Sequence, residues 1–161
     1  MKILIIFYLL LISSISYADN SIDIIVVNKS ERILYVVKND KIIKKYEIAL
    51  GLNPMGHKKK EGDKKTPEGY YFIDGKNSNS KYFLSLHTSY PNFHDKQVSV
   101  KNNVNPGEHI AIHGLPSISI LSQHLYSKGV DWTDGCIALN NSDMQELWDL
   151  TEEGTQIIIK P

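Results

Sequence analysis

Asp131-Trp132-Thr133-Asp134-Gly135-Cys136-Ile137-Ala138-Leu139 carries the one cysteine of a 161-residue chain. That cysteine follows a glycine and opens a short apolar run. Twenty-three positions upstream, a second apolar run, Ile110-Ala111-Ile112, ends in His113-Gly114. A single cysteine has no partner within its own chain. It is an inert buried thiol, an intermolecular bridge or a reactive group. The pairing with a strand-borne histidine puts the third level with the inert thiol, and in that reading Cys136 is a nucleophile, His113 its base, and the rest of the chain scaffold and cleft.

The N-terminus bears on that choice. Lys2 supplies a positive start, Ile3 to Ile12 is an almost unbroken apolar run, and Ser16-Tyr17-Ala18 places small residues at −3 and −1 of a cleavage site. The run falls short of the ~20 residues that span a bilayer. No cysteine follows it to take a lipid. The expectation is a signal peptide over residues 1–18, a mature domain over 19–161, and no stable membrane anchor after cleavage. Exported proteins tend to pair their cysteines in disulfides, so a lone one is informative. The mature length is enough for a core without staples. Basic and acidic residues balance at 18 each, so nothing favours nucleic acid as a partner. The basic set is almost all lysine, with Arg32 the single arginine.

Ile22 to Asn28 and Ile33 to Val37 are rich in β-branched residues and flank the polar turn Lys29-Ser30-Glu31-Arg32, which reads as a hairpin. After Lys38-Asn39-Asp40-Lys41, Ile42 to Leu50 makes a third strand. Gly51 to Gly69 holds four Gly, two Pro and five Lys without periodicity, a long loop. A loop of this length in a compact domain is usually functional or disordered, but its composition alone favours a solvated lysine-rich surface loop. Tyr70 to Ile73 reads as a strand ended by an Asp74-Gly75 turn, and Tyr82 to Leu86 as another. Ser89 to Asn105 reads as polar and irregular. Ile118, Leu121 and Leu125 have helical spacing within Ser117 to Lys128, with Gly129 as cap. Ser142 and Gln145 have capping-box spacing ahead of a second helix ending at Leu150. Gln156 to Ile159 closes the chain as a strand. The fold class is mainly β, with one or two short helices.

A cysteine nucleophile needs a base or positive charge nearby. Of six histidines, His113 is the one that a strand would hold rigidly before a turn. Gly135 permits a backbone in which neighbouring N–H groups converge on a developing oxyanion. An ordinary turn would use the same glycine. Asp134 works against a thiolate unless it points away. Scattered histidines and one cysteine show no metal-ligand spacing, and no cofactor is expected.

These residues resemble the L,D-transpeptidase catalytic domain, also called the YkuD domain. The matching elements are Ile110-Ala111-Ile112-His113-Gly114, then Thr133-Asp134-Gly135-Cys136-Ile137. Gly62-Asp63-Lys64-Lys65-Thr66-Pro67-Glu68-Gly69 is similar to the family's Gly-Asp-x-Lys/Arg-Thr-Pro-Glu-Gly segment, and Tyr90-Pro91-Asn92 followed by Asp95 adds a third match. The resemblance covers residues 22–160. It implies a β-sandwich or barrel-like fold, Cys136 as nucleophile and His113 as base. It further implies that the Gly114 carbonyl orients His113, that Gly135 and Cys136 supply oxyanion N–H groups, and that Thr133 stands where Ser is usual. Lys65, Thr66, Pro67, Tyr90 and Asp134 fall at positions expected to meet substrate. Many members have His at the position of Asp134 and Arg at that of Ala138. This chain has neither, so a carboxylate clamp by that arginine is lost, and lysines of the 58–65 loop are candidates to replace it. The Asp-Trp-Thr-x-Gly-Cys-Ile-Ala form resembles a branch in Gram-negative bacteria, which implies a periplasmic, wall-associated protein.

The resemblance implies a cysteine acyltransferase acting on donor and acceptor stem peptides of peptidoglycan, in wall cross-linking or remodelling, and acylated by carbapenems. Water as acceptor would make the same site a carboxypeptidase or amidase. A sortase-like enzyme needs an arginine after the cysteine, and none follows Arg32. A non-catalytic wall-binding module would have no use for a reactive thiol.

Overall fold

The computed structural model describes residues 21–116 and 120–161. The expected signal peptide, and Ser117 and Ile118 of the expected helix, lie outside them. In chain order the strands are β1 (Ile24–Asn28), β2 (Ile33–Lys38), β3 (Lys41–Glu47), β4 (Gly69–Ser80), β5 (Phe83–Thr88), β6 (Ala111–His113), β7 (Ile137–Ala138) and β8 (Gln156–Lys160). The helices are α1 (Phe93–Lys101), α2 (Ile120–Ser127) and α3 (Asn141–Leu150), one more than expected.

Alternation builds the first hairpin. Ile25, Val27, Leu34 and Val36 are fully buried and their neighbours half-exposed, the period of two that a one-sided strand requires. β1, β2 and β3 form an antiparallel meander. β3 is an edge whose charged residues, Lys41, Lys44, Lys45 and Glu47, discourage pairing with another chain. The last strand, β8, does more than close the chain. It runs between β1, to which it is parallel, and β4, to which it is antiparallel. The order of the single eight-stranded sheet is β3-β2-β1-β8-β4-β5-β6-β7.

The sheet then curls back on itself. Ala49, just past β3, exchanges two backbone hydrogen bonds with Ala138 of β7, at 2.9 and 2.8 Å. Gly51 forms a parallel bridge with Thr133 next to it. The far ends of the strand order therefore meet at a seam, and Cys136 lies between its two bridges in sequence. The fold is the mainly β, barrel-like arrangement expected.

Three details differ from expectation, each for a local reason. Asp74-Gly75 is not a turn: β4 runs through it with a register shift between Ile73 and Gly75, a bulge. The irregular stretch after Ser89 contains α1, whose buried residues are Asp95 and Ser99 while Phe93 and Val100 are exposed. Asn92 and Asp95 cap it reciprocally. The cap of α3 is Asn140, whose side chain accepts from Asp143 N–H at 2.9 Å, two residues ahead of the expected Ser142. α2 ends as expected. Gly129 and Val130 N–H donate to Tyr126 and Leu125 carbonyls, a Schellman motif, although Leu121 is exposed rather than packed.

Candidate active site

The ladder between β6 and β7 sets the site. Ile112 pairs in parallel with Ile137, and His113 with Ala138. Ile112 and Ile137 are fully buried on one face. One step before Ile137, Cys136 falls opposite Ala111. Cys136 and His113 are thus diagonal neighbours on the other face of the ladder. The thiol is half-exposed, and its sulfur lies 3.6 Å from the His109 carbonyl.

Thr133 organises the turn that delivers Cys136. Its hydroxyl donates to the Cys136 carbonyl at 2.7 Å and accepts from Gly135 N–H at 3.1 Å. The Gly135 N–H, expected at an oxyanion, is therefore held within the turn. Gly135 has another reason to be glycine. Its φ is +131°, and a β-carbon there would lie 2.6 Å from the Lys65 carbonyl oxygen. A β-carbon on Gly51 would lie 2.2 Å from the Lys64 carbonyl oxygen and 3.0 Å from Gly135 Cα. Two glycines thus allow the post-β3 segment, the lysine loop and the cysteine turn to stack backbone on backbone. Asp131 anchors the start of this turn. It ion-pairs with Arg32 at 2.7 Å and accepts from Leu50 N–H at 2.8 Å. The one arginine of the chain is engaged there, away from the thiol cleft.

His113 is 3% exposed. Its Nδ1 lies 2.7 Å from the Gly114 carbonyl, which only accepts, so Nδ1 carries the hydrogen and Nε2 is left as the acceptor. Tyr82 stacks on the ring at a centroid distance of 4.4 Å, and Trp132 meets it edge-on at 5.9 Å. Sequence reasoning missed both aromatics, because contacts between separate elements leave no periodic trace. Burial holds the His113 pKa below its ordinary 6.5, with nearby Lys81 adding to that and the Gly114 bond opposing it. Burial also pushes the Cys136 thiol up, and Asp134 adds to the effect. An Ala111 backbone hydrogen bond and the Lys58 and Lys81 ammoniums act the other way. At neutral pH these shifts favour a protonated thiol on Cys136 and a neutral imidazole on His113.

A prediction with a definite sign follows from this environment. With His113 as a general base, which works only when neutral, kcat/KM is expected to fall as pH drops through a His113 pKa that lies below 6.5. Tyr82→Ala admits water to the ring and relieves the desolvation. The acid limb of the profile then moves to higher pH, which rate measurements from pH 4 to 9 would register.

The loop of residues 51–69 is braced from within. The Asp63 carboxylate accepts from the backbone N–H groups of Lys59, Lys60 and Lys65 and from the Lys58 ammonium, at 2.8 to 3.1 Å. Burial would raise its pKa, but these donors outweigh it and hold Asp63 below the usual carboxylate value. Lys29, from the first hairpin turn, is 3% exposed. Its ammonium donates to the Gly56 and Thr66 carbonyls at 2.9 Å each and to Glu68 at 2.7 Å. From sequence, Lys29 looked like part of a solvated turn.

The expected substrate residues divide. Thr66 is fully buried, with its hydroxyl accepting from Gly51 N–H at 3.1 Å, and Pro67 is buried beside it. Tyr90 is buried and donates to the Pro106 carbonyl at 2.8 Å. Lys65 turns its ammonium to the Met55 carbonyl. The polar groups of Thr66, Lys65 and Tyr90 are thus engaged within the protein. Asp134 does face the thiol. A cleft of about 470 Å³ opens beside Cys136 and is lined by Lys58, Lys64, Glu108, His109 and Asp134 among others. Lys64 and Asp134 are ion-paired across it at 2.5 Å.

A barrel-like sheet that puts cysteine and histidine on one face of a parallel ladder, under a braced lysine loop, agrees with the comparisons. A family model described as the L,D-transpeptidase catalytic domain matches residues 22–159, and the chain belongs to that family. Among solved structures, the helical cell shape determining protein Pgp2 of Campylobacter jejuni is 32% identical with a TM-score of 0.64, covering 89% of this chain and 49% of its own. Bd1075 of Bdellovibrio bacteriovorus is 30% identical with a TM-score of 0.62, covering 87% of this chain and 48% of its own. The curated Escherichia coli K12 protein YafK is 28% identical over 109 residues, 64% of this chain and 42% of that protein. The chain thus spans about half the length of the relatives it matches.

Proposed function

We propose that the protein is an exported, cysteine-dependent L,D-transpeptidase that acts on peptidoglycan stem peptides in the periplasm. The observation that carries this is the β6–β7 register, which sets Cys136 and a neutral His113 as diagonal neighbours on one face. The thiol proton passes to His113 Nε2 as Sγ attacks the carbonyl that joins an L-centre to a terminal D-residue. The oxyanion is met by the Cys136 N–H, the Gly135 N–H being engaged by the Thr133 hydroxyl. The tetrahedral adduct collapses, the D-amino acid leaves with the proton from His113, and a thioester remains. An acceptor amine attacks it, gives its proton to His113, and the thiol recovers that proton as the new amide forms. The naming of Pgp2 as a cell shape determinant supports a role in wall remodelling.

The test is incubation with defined tetrapeptide stems, with and without an amine acceptor, followed by mass spectrometry. The expected results are an acyl adduct on Cys136 and an amine-dependent product. Adduct formation with hydrolysis alone would make the protein an L,D-carboxypeptidase. Cys136→Ala should lose turnover and the adduct while keeping the wild-type melting profile; processing of stems by this variant would sink the assignment. Sequencing the N-terminus of periplasmic material should find Asp19.

A further inference from the structure

We infer that Lys64 is the carboxylate-binding group of the cleft and that Asp134 is a resident counter-ion which a substrate carboxylate displaces. This rests on the proposed action on peptide stems, which carry carboxylates next to the scissile bond. Three observations carry it.

The first is the lysine inventory. Lys58 lines the cleft, but its side chain is 4% exposed and its ammonium is already divided between Asp63 and the Lys60 carbonyl. Lys65 turns to Met55. Lys64 lines the same cleft as Cys136; its side chain is 42% exposed and its ammonium pairs with Asp134, which is 80% exposed. A pair this open exchanges readily with water and with other anions, because a surface ion pair contributes little by itself.

The second is how Lys64 is held. Its φ is +60°, a left-handed conformation that costs energy for a residue with a side chain. The surroundings fix it there. Its carbonyl accepts from Asn53 N–H at 3.0 Å, and the residues on both sides are tied through Asp63. Its carbonyl also packs closely on the Gly51 backbone, where a β-carbon would lie 2.2 Å from the Lys64 oxygen. The backbone is thus fixed where Lys64 leaves it, and its ammonium meets Asp134 in the cleft that Cys136 also lines.

The third is the neighbourhood of charge. Glu61, Glu108 and Asp134 also line this cleft. Of the lysines that line the cleft, Lys58 is already paired, so Lys64 is the one whose ammonium is open to an anionic peptide. With Lys64 engaged by Asp134, an arriving carboxylate exchanges one ion pair for another. Affinity is then set by the difference between the two, and the site discriminates by charge.

The experiment uses Cys136→Ala protein, so that binding is read without turnover, titrated with one tetrapeptide stem as free acid and as terminal amide. The free acid should bind about tenfold tighter, the scale of one charge-assisted hydrogen bond. Lys64→Met should remove that preference while leaving affinity for the amide unchanged. Asp134→Asn should strengthen binding of the acid severalfold. Equal affinity for acid and amide, or a preference that survives Lys64→Met, overturns the inference, as does failure of the acid to bind. On chain with Cys136 intact, alkylation by anionic iodoacetate relative to neutral iodoacetamide should drop with Lys64→Met and rise with Asp134→Asn. A charge preference without a Cys136 acyl adduct would leave the carboxylate site standing and remove the proposed chemistry.

Discussion

Gly135→Ala is expected to cost both turnover and stability. The new β-carbon would lie 2.6 Å from the Lys65 carbonyl oxygen and 3.2 Å from Ile110 Cδ1, at a φ of +131°. Neither backbone yields easily, since Thr133 ties the cysteine turn and Asp63 ties the loop. Strain and overpacking together cost about 2–4 kcal/mol. Relief requires the turn to back away from the loop, which carries Cys136 with it. A displacement near 1 Å of a nucleophile costs about 100-fold in rate. Gly154→Ala is the control. Its φ of +92° imposes the same class of strain, yet nothing lies within 4 Å. It should lower the melting temperature slightly and leave kcat/KM unchanged. Urea unfolding and stem turnover on both variants separate the clash from the strain.

Lys29→Met is the second large effect, and it acts from the far side of the loop. One buried ammonium satisfies two carbonyls and the Glu68 carboxylate. Methionine fills similar space but donates nothing. Removing one partner of a buried pair costs about 3–5 kcal/mol. Glu68 is partly open to water at 19%, which places the loss near the lower end, about 3 kcal/mol. Activity should fall as well, by about tenfold, because Thr66 immediately follows the backbone that rests on Gly135. Adding Glu68→Gln should restore part of the stability, since the stranded charge is then gone. A double variant no more stable than Lys29→Met would show that the two side chains do not act as a pair.

Much of the fold was legible where burial follows backbone periodicity. Ile25, Val27, Leu34 and Val36 alternate as a one-sided strand must, and Gln156–Lys160 does the same. α1 was hidden because it buries polar residues. Asp95 is held by Tyr71, by His57 and by the Asn92 N–H, so its helix face carries no apolar signature. Its one local signal was the Asn92–Asp95 cap. In the site, Cys136 and His113 could be picked out by chemical rarity and position in short apolar runs. Tyr82, Trp132 and Lys29 could not, because what they do depends on segments far away in sequence. The carboxylate beside the nucleophile, Asp134, is answered by Lys64, a residue 70 positions earlier that no local pattern connects to it.

The seam between Ala49 and Ala138 bears on when the chain becomes reactive. Those two hydrogen bonds join residues 89 positions apart, and β7 has two residues of its own. So short a strand does not persist alone; its neighbours β6 and the post-β3 segment must be present first. Closing so distant a contact is a late and entropically costly event in folding. Until β7 is held in place, Cys136 lacks the β6–β7 register that sets it diagonal to His113. With Cys136 as the nucleophile, acyl transfer is expected to be coupled to completion of the barrel. The exchange rate of the Ala138 amide with deuterated solvent should track the fraction of molecules able to react.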